Sequence, residues 1–586
     1  MITYRIGIAD IDAHAFEVTL TIPAPHADQR VSLPVWIPGS YLVREFARHL
    51  SGLQARQGGK LVALQQLDKA SWQARCKAGA ALSVSYRVYA FDTSVRAAFL
   101  DAQRGFFNGT SLCLRVEGFE DQPHRLELAA LPKGWQVATS LPALKVNAAG
   151  HGSYLATGYD ELVDHPVELG TFWRGRFTAR GVAHEFVVAG ALPDFDGERL
   201  LADTQRLCEA QIEFWHGPKA APPMARYVFL LNAVDDGHGG LEHRASTALI
   251  APRRNLPQRG KAETSEGYVS LLGLISHEYF HTWSVKRLRP AEFAHYDYTR
   301  ENYTSLLWFF EGFTSYYDDL FLRRAGLIDA DCYLRLVANT VSGVLGTPGR
   351  QVQSVAQSSF DAWVKYYRTD ENTPNATISY YAKGALVALA LDLRLRAEAK
   401  VSRDSTLDGV MRHLWVASAG GPIAEADIAA ALQAVGGRSF SKELATWVHG
   451  TGELPLRDLL AAAGVAWQPQ AATLAQRLGL RVSESALTGV KISHVLAGGA
   501  AQRAGLSAGD ELLALDGWRL RRVDDALRLL VPGRAATLLV ARDQRVLRLA
   551  LTLPKGPGDE FGAVSLALVD KPAKAALALR KAWLAG

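Results

Sequence analysis

Two histidines four residues apart, His277 and His281, enclose Glu278 within the apolar stretch LLGLISHEYFHTW at 271–283. On a helix that spacing puts both imidazoles on one face, a turn apart, where they can share an ion. Glu278 is turned about 100° from His277, a poor third ligand but well placed beside a water held by the metal. Zinc lowers the pKa of such a water to about 7, and a carboxylate can take its proton as it attacks a carbonyl. The alternative, a solvent-facing helix with two incidental histidines, fits poorly. Leu271, Leu272, Leu274, Ile275, Tyr279, Phe280 and Trp283 make the segment a buried one. Two histidines and a glutamate buried together need partners that offset their desolvation.

Catalytic zinc keeps three protein ligands and one open position, so a third ligand is required. A metzincin would place glycine and histidine at positions 284 and 287; Ser284 and Arg287 exclude that class. The downstream carboxylates are Glu292, Asp297, Glu301, Glu311, Asp318 and Asp319. Glu292 and Asp297 follow Pro290 in a loop-like stretch, and Asp318 and Asp319 fall at the polar end of the next helical segment. Glu311 stands in SLLWFFEGFTSYY, a carboxylate in an aromatic bed, where only a cation or hydrogen bonds offset its burial. It is the expected third ligand. Two histidines and a glutamate on zinc point to hydrolysis of an acyl bond, most often a peptide, without separating endopeptidase from aminopeptidase. The segment HGGLEHRAS at 238–246 bears on that choice. Gly239 and Gly240 let the backbone approach a ligand closely, and Glu242 could hold a peptide's α-ammonium. A Gly-Gly turn followed by a surface glutamate reads equally well from these residues alone.

The elements that must position these groups follow from pattern. Residues 1–195 alternate polar and apolar in short runs such as HAFEVTLTI and LSVSYRVYAF, broken by Pro, Gly and Asp, and are expected to be β-rich. From about 199 helical spacing takes over, beginning with ERLLADTQRLCEAQIEFWHG and stopped by Gly217-Pro218. A strand-like ARYVFLLNA, the Gly-rich segment and several helices follow to about 463. Beyond it the pattern returns to strands. At 586 residues the chain is too long for one core. It is 48% hydrophobic and 21% charged, with 64 basic and 59 acidic residues giving +5, so charge gives no ground for a nucleic-acid or membrane partner. Cys76, Cys113, Cys208 and Cys332 form no CxxC pair, which suits a reducing compartment. The first residues lack a basic segment followed by an apolar one, and no apolar run reaches roughly 18 residues. The Asn-x-Thr triplets at Asn108, Asn302 and Asn375 read as chance matches. A cytoplasmic protein is expected.

With these segments assembled, the chain resembles the glycyl aminopeptidase family of zinc metallopeptidases, distant relatives of aminopeptidase N in the gluzincin group. LPVWIPGSYLVREFARHL and RGFFNGTSL match its N-terminal stretches, and GGLEH, HEYFHTWSVKRLRP, WFFEGFTSYY and SYYAKGA follow in the family's order. The resemblance implies one zinc per chain on His277, His281 and Glu311, with Glu278 as general base and acid. It implies that Glu242, in the place of the aminopeptidase Gly-x-Met-Glu-Asn segment, binds the free amino terminus. Leu241 and His243 depart from that wider pattern. YAKG resembles the group's Tyr-x-Lys-Gly segment and implies that Tyr381 donates to the oxyanion, with Tyr380 the other candidate. The tail resembles a PDZ domain. RLGL at 477–480 matches its carboxylate-binding loop, implying that backbone N–H groups of Gly479 and Leu480 receive a peptide C-terminus.

The expected architecture is therefore multidomain α+β. A β-rich domain spans 1–195, a thermolysin-like, mostly α catalytic domain with a helical extension spans 196–465, a PDZ domain spans 466–560, and a C-terminal tail closes the chain at 561–586. The expected activity is removal of N-terminal residues, small ones by family resemblance, from peptides with a free amine. A PDZ-assisted endopeptidase and a non-catalytic scaffold are the rival readings. The sequence leaves self-association open.

Overall fold

A computed structural model describes residues 1–129, 131–218, 221–398, 405–556 and 562–585. They divide into two compact units, Met1–Asn302 with Gly420–Pro422, and Tyr303–Ala419 with Ile423–Gly586.

The first unit begins with an eight-stranded sheet in which Ile2–Asp10 lies between Ala15–Ile22 and His124–Leu128. Strict alternation builds it: Phe16, Val18, Leu20 and Ile22 all point into one core, beside Ile2, Tyr4 and Ile6. Two four-stranded sheets complete this region.

A second, five-stranded sheet carries the chemistry. Its strands are β1 (Trp173–Ala179), β2 (Val182–Ala189), β3 (Arg226–Val234), β4 (Gly239–Glu242) and β5 (Ser246–Pro252), in the order β1-β2-β3-β5-β4. β3 pairs in parallel with β2 and β5, and its near-continuous apolar run YVFLLNA is buried throughout, as parallel strands require. β4 is the edge strand, antiparallel to β5 with Gly239 opposite Ile250 and Glu242 opposite Thr247. Helix α1 (Gly197–His216) starts where the Asp196 carboxylate accepts the Arg199 N–H at 3.1 Å, and stops at Gly217, whose φ of 69° suits only glycine well. Helix α2 (Glu266–Phe280) is capped by Ser265 and buried over most of its length.

The second unit is mainly helical. Its centre is the packing of α3 (Gly312–Arg324) on α4 (Tyr380–Glu398). A Cβ on Gly312 would lie 2.5 Å from the Gly384 Cα, so the two helices touch backbone to backbone. Strand Val465–Pro469 then pairs antiparallel with Val564–Leu568, and helix Lys574–Ala585 buries Trp583 completely. Between those strands lies a separate antiparallel sheet running from Leu480–Ser485 at one edge to Arg545–Thr552, with its own apolar core. The C-terminal tail is thus ordered structure that returns to the helical body. The expected domain boundary at 560/561 lies outside the described residues. No described helix is long and apolar enough to cross a membrane.

Candidate active site

Helix α2 ends in the two histidines. His277 occupies its last turn and His281 is its C-cap, with the His281 N–H still bonded to the His277 carbonyl at 3.3 Å. The imidazole centroids are 4.7 Å apart. His281 donates from Nδ1 to the Ser284 carbonyl at 2.6 Å, which fixes the tautomer whose Nε2 carries a lone pair. The helix itself cannot shift easily. Gln211 of α1 donates to both the carbonyl and the hydroxyl of Ser276 at 2.9 Å, and Tyr279 and His184 meet at 2.9 Å.

Edge strand β4 lies against this helix end. A Cβ on Gly240 would fall 2.1 Å from Glu278 Oε1, so only glycine permits this apposition. Donor atoms of Glu242, Glu278 and His281 all lie within 4.8 Å of one another. Glu242 is 4% exposed, and its buried Oε1 has no hydrogen-bond partner among the described residues. Two carboxylates so close and so buried repel each other and cost free energy unless cations join them. That donor set, with a histidine held in the ligating tautomer, fits a metal beside a bound ammonium.

The wall over Glu242 comes from the N-terminal stretch quoted above. Gly39, with φ of 93°, brings its Cα so close that a Cβ would sit 2.5 Å from both Glu242 oxygens. The loop is held there by Val35, whose N–H donates to the Tyr298 carbonyl at 2.9 Å, and by Trp36, whose indole donates to the Asp297 carbonyl at 2.8 Å. The Asp297 carboxylate is itself engaged by Thr299 and Arg300.

Behind Glu242 lies a charge cluster that sequence reasoning did not find. Asp164 Oδ1 takes the Lys286 ammonium at 2.7 Å and His243 Nδ1 at 3.2 Å, while Oδ2 takes the Arg244 N–H at 3.0 Å. Burial works against the Asp164 carboxylate, but Lys286 and Arg244 outweigh it and hold its pKa well below the usual range. Burial likewise pulls Lys286 down, and Asp164, then Tyr296 and Glu242, more than compensate. Asp164 therefore joins the turn after Glu242 to the segment after His281. Lys286 belongs to the quoted HEYFHTWSVKRLRP, but a lone Asp164 in ELVDHPVEL carries no pattern that could have marked it.

In the second unit Glu311 sits between helix Leu307–Phe310 and α3, 2% exposed among Trp308, Phe309, Phe310 and Phe313. The close crossing at Gly312 and Gly384 sets it beside the first turn of α4. Burial first, then the Glu311 charge, raises the Tyr381 phenol well above its ordinary pKa, so it stays protonated. Its hydroxyl lies 3.5 Å from that of Tyr367. Tyr380 is fully buried, whereas Tyr381 keeps some exposure. Far along the chain, Gly479 adopts φ of 74° and its N–H donates to the Gln476 carbonyl at 3.0 Å, while Leu480 opens an edge strand.

Comparison with known proteins matches the Peptidase M61 N-terminal domain over residues 3–171, the M61 glycyl aminopeptidase over 270–387 and a PDZ domain over 470–539. A solved aminopeptidase N family protein from Idiomarina loihiensis is 37% identical and superposes with a TM-score of 0.92, covering 100% of both chains. The chain belongs to the M61 glycyl aminopeptidase family. This M61 protein is accordingly a metallo-aminopeptidase that depends on a metal cofactor and carries a PDZ domain. Its architecture is α+β: a β-rich N-terminal domain, a helical middle domain and a C-terminal PDZ region. More distant likenesses include a variant M1 zinc metallopeptidase from Deinococcus radiodurans bound to a Tyr-Ser-Ala substrate, at 16% identity and TM-score 0.46, covering 78% of this chain and 94% of that one. Another is Legionella pneumophila aminopeptidase A, at 12% and 0.49, covering 95% and 57%. A search of curated proteins gave no match.

Proposed function

We propose that this protein is a zinc aminopeptidase that removes small N-terminal residues, glycine or alanine, from peptides with a free amine. His277, His281 and Glu311 would hold one zinc ion per chain. Zinc bound there would lower the pKa of a coordinated water to about 7 and polarise the scissile carbonyl. Glu278 takes the proton from the attacking water and passes it to the leaving amine. Tyr381, protonated at working pH, donates a hydrogen bond to the developing oxyanion. Glu242 holds the α-ammonium and so sets the cut one residue from the end. The close approach of Gly39 to Glu242 supports a short, closed amine end, which suits a small first residue. Four cysteines free of disulfides support a cytoplasmic location. In the PDZ domain, Leu480 is the better donor for a peptide carboxylate, since the Gly479 N–H is already engaged.

The observation that carries this reading is Glu242, a buried carboxylate beside Glu278 with an oxygen that nothing in the described residues satisfies. The test compares Ala-Ala with N-acetyl-Ala-Ala in the native protein and in Glu242→Ala. The native enzyme is expected to cleave the free peptide and reject the blocked one, and the variant to lose that preference. Equal cleavage of both peptides by the native enzyme would overturn the aminopeptidase reading.

A further inference from the structure

One cation beside the edge strand has no counter-charge among the described residues. Arg96, from the N-terminal β-rich region, lays its guanidinium along Gly239 and Gly240. Nη2 reaches the Gly240 carbonyl at a long 3.4 Å, and both terminal nitrogens lie 3.7–3.8 Å from where a Gly239 Cβ would be. Its Nε is buried without a hydrogen-bond partner, and no carboxylate among the described residues pairs with it. A guanidinium has five donors in a planar fork suited to a carboxylate; in the half-buried Arg96 the Nε is the donor that is buried and unpaired, and the terminal nitrogens remain open to a ligand.

The order along β4 gives that ligand its place. Glu242 ends the strand, Glu278 lies against Gly240, and Arg96 lies against Gly240 and Gly239. Along the strand axis, Arg96 at Gly239 and Gly240 and the Glu242 carboxylate therefore fall at the two ends of the short stretch whose Gly240 abuts Glu278. Strand residues rise about 3.3 Å each, so the two charges are separated by on the order of two or three residues. A short zwitterionic peptide has the matching charges at the matching spacing. We propose that Arg96 binds the C-terminal carboxylate of a dipeptide or tripeptide on the leaving-group side of the scissile bond, making this protein a short-peptide hydrolase. This rests on the amine-anchoring role of Glu242 proposed above.

The test measures kcat and KM for Ala-Ala, Ala-Ala-amide and N-acetyl-Ala-Ala with the metal-loaded full chain, native and Arg96→Gln, with Arg96→Lys as the conservative variant. The native enzyme is expected to show a KM for Ala-Ala at least about tenfold below that for the amide, the scale of one charged pair. Arg96→Gln should erase that difference by raising KM for Ala-Ala alone, and Arg96→Lys should restore part of it. Equal KM values for acid and amide in the native enzyme, or an equal loss on both in Arg96→Gln, would overturn the proposal. The N-acetyl arm reports on Glu242 independently. Cleavage of the blocked peptide with a retained acid-over-amide preference would sink the amine anchor and leave Arg96 as the carboxylate site.

Discussion

At the scale of single residues, the candidate site is legible where burial and charge conflict within one motif. Glu278 and the two histidines announce themselves by sitting in an apolar run, and Glu311 does so through its aromatic neighbours. Glu242 was ambiguous, because a glutamate after Gly-Gly reads equally as surface; its 4% exposure beside Glu278 and His281 is a tertiary fact. Arg96 and Asp164 leave no trace, since their partners lie far along the chain, 144 positions away for Gly240 and 79 and 80 for His243 and Arg244. Two substitutions separate the proposed roles. Glu278→Gln keeps the shape but not the base, and kcat is expected to fall by about 10²–10⁴. Metal content, measured by elemental analysis, should stay at the native level. Tyr381→Phe removes one oxyanion donor, for an expected loss of about 3–4 kcal/mol in the transition state with KM little changed. A Tyr381→Phe enzyme with native kcat would remove that assignment.

At the scale of elements, the site depends on two appositions that periodicity cannot reveal. The first is β4 on α2. Gly240→Ala would put a methyl 2.1 Å from Glu278 Oε1, and the strand or the carboxylate must move. Overpacking of this kind costs about 1–3 kcal/mol, and here the displaced group is the proposed base. Activity should therefore fall by more than the denaturation midpoint would suggest. The second is the link between the segments after Glu242 and after His281, tied through Asp164. A carboxyl whose folded pKa is depressed contributes stability above its unfolded value of about 3.9, lost as pH falls through the folded value. Lys286, raised above its ordinary value, contributes below about 10.4 and loses that contribution as pH rises through its folded pKa. The pair therefore acts across the neutral range. Asp164→Asn leaves a buried ammonium without its charge partner, an expected cost of about 3–5 kcal/mol at pH 7. Denaturant titrations should show that deficit shrinking toward the acid limit, where the native carboxyl is also protonated.

At the scale of the whole chain, alternation and helical spacing gave the right kinds of elements, while pairing partners stayed hidden. Trp173–Ala179 and Val182–Ala189 read as part of the β-rich segment, yet they pair into the sheet that holds β4. A strand's pattern says which face is buried and not which strand lies beside it. The same limit concealed the return of the C-terminal segment. Val564–Leu568 pairs with Val465–Pro469 residue for residue, from Val465 opposite Leu568 to Pro469 opposite Val564. The PDZ region is therefore an insertion whose two ends emerge side by side from one two-stranded ladder, and its core is its own. Deleting residues 470–563 and joining Pro469 to Val564 by a short Gly-Asn turn should preserve the ladder, because antiparallel neighbours need only a two-residue link. The deletion gives up modest ties, such as the Asn375 bonds to the Val495 carbonyl and the Ala497 N–H at 2.9 and 2.8 Å. Helix Lys574–Ala585 keeps Trp583 in place, its indole donating to Tyr316 at 3.1 Å. The shortened enzyme is expected to melt cooperatively and to cleave Ala-Ala with kcat/KM within about threefold of the full chain. Trp583→Ala in the same background, which empties a fully buried site, should cost about 3–5 kcal/mol. If excision abolished dipeptide cleavage while the melt stayed cooperative, the PDZ domain would have to act in substrate turnover itself, as the PDZ-assisted endopeptidase reading requires.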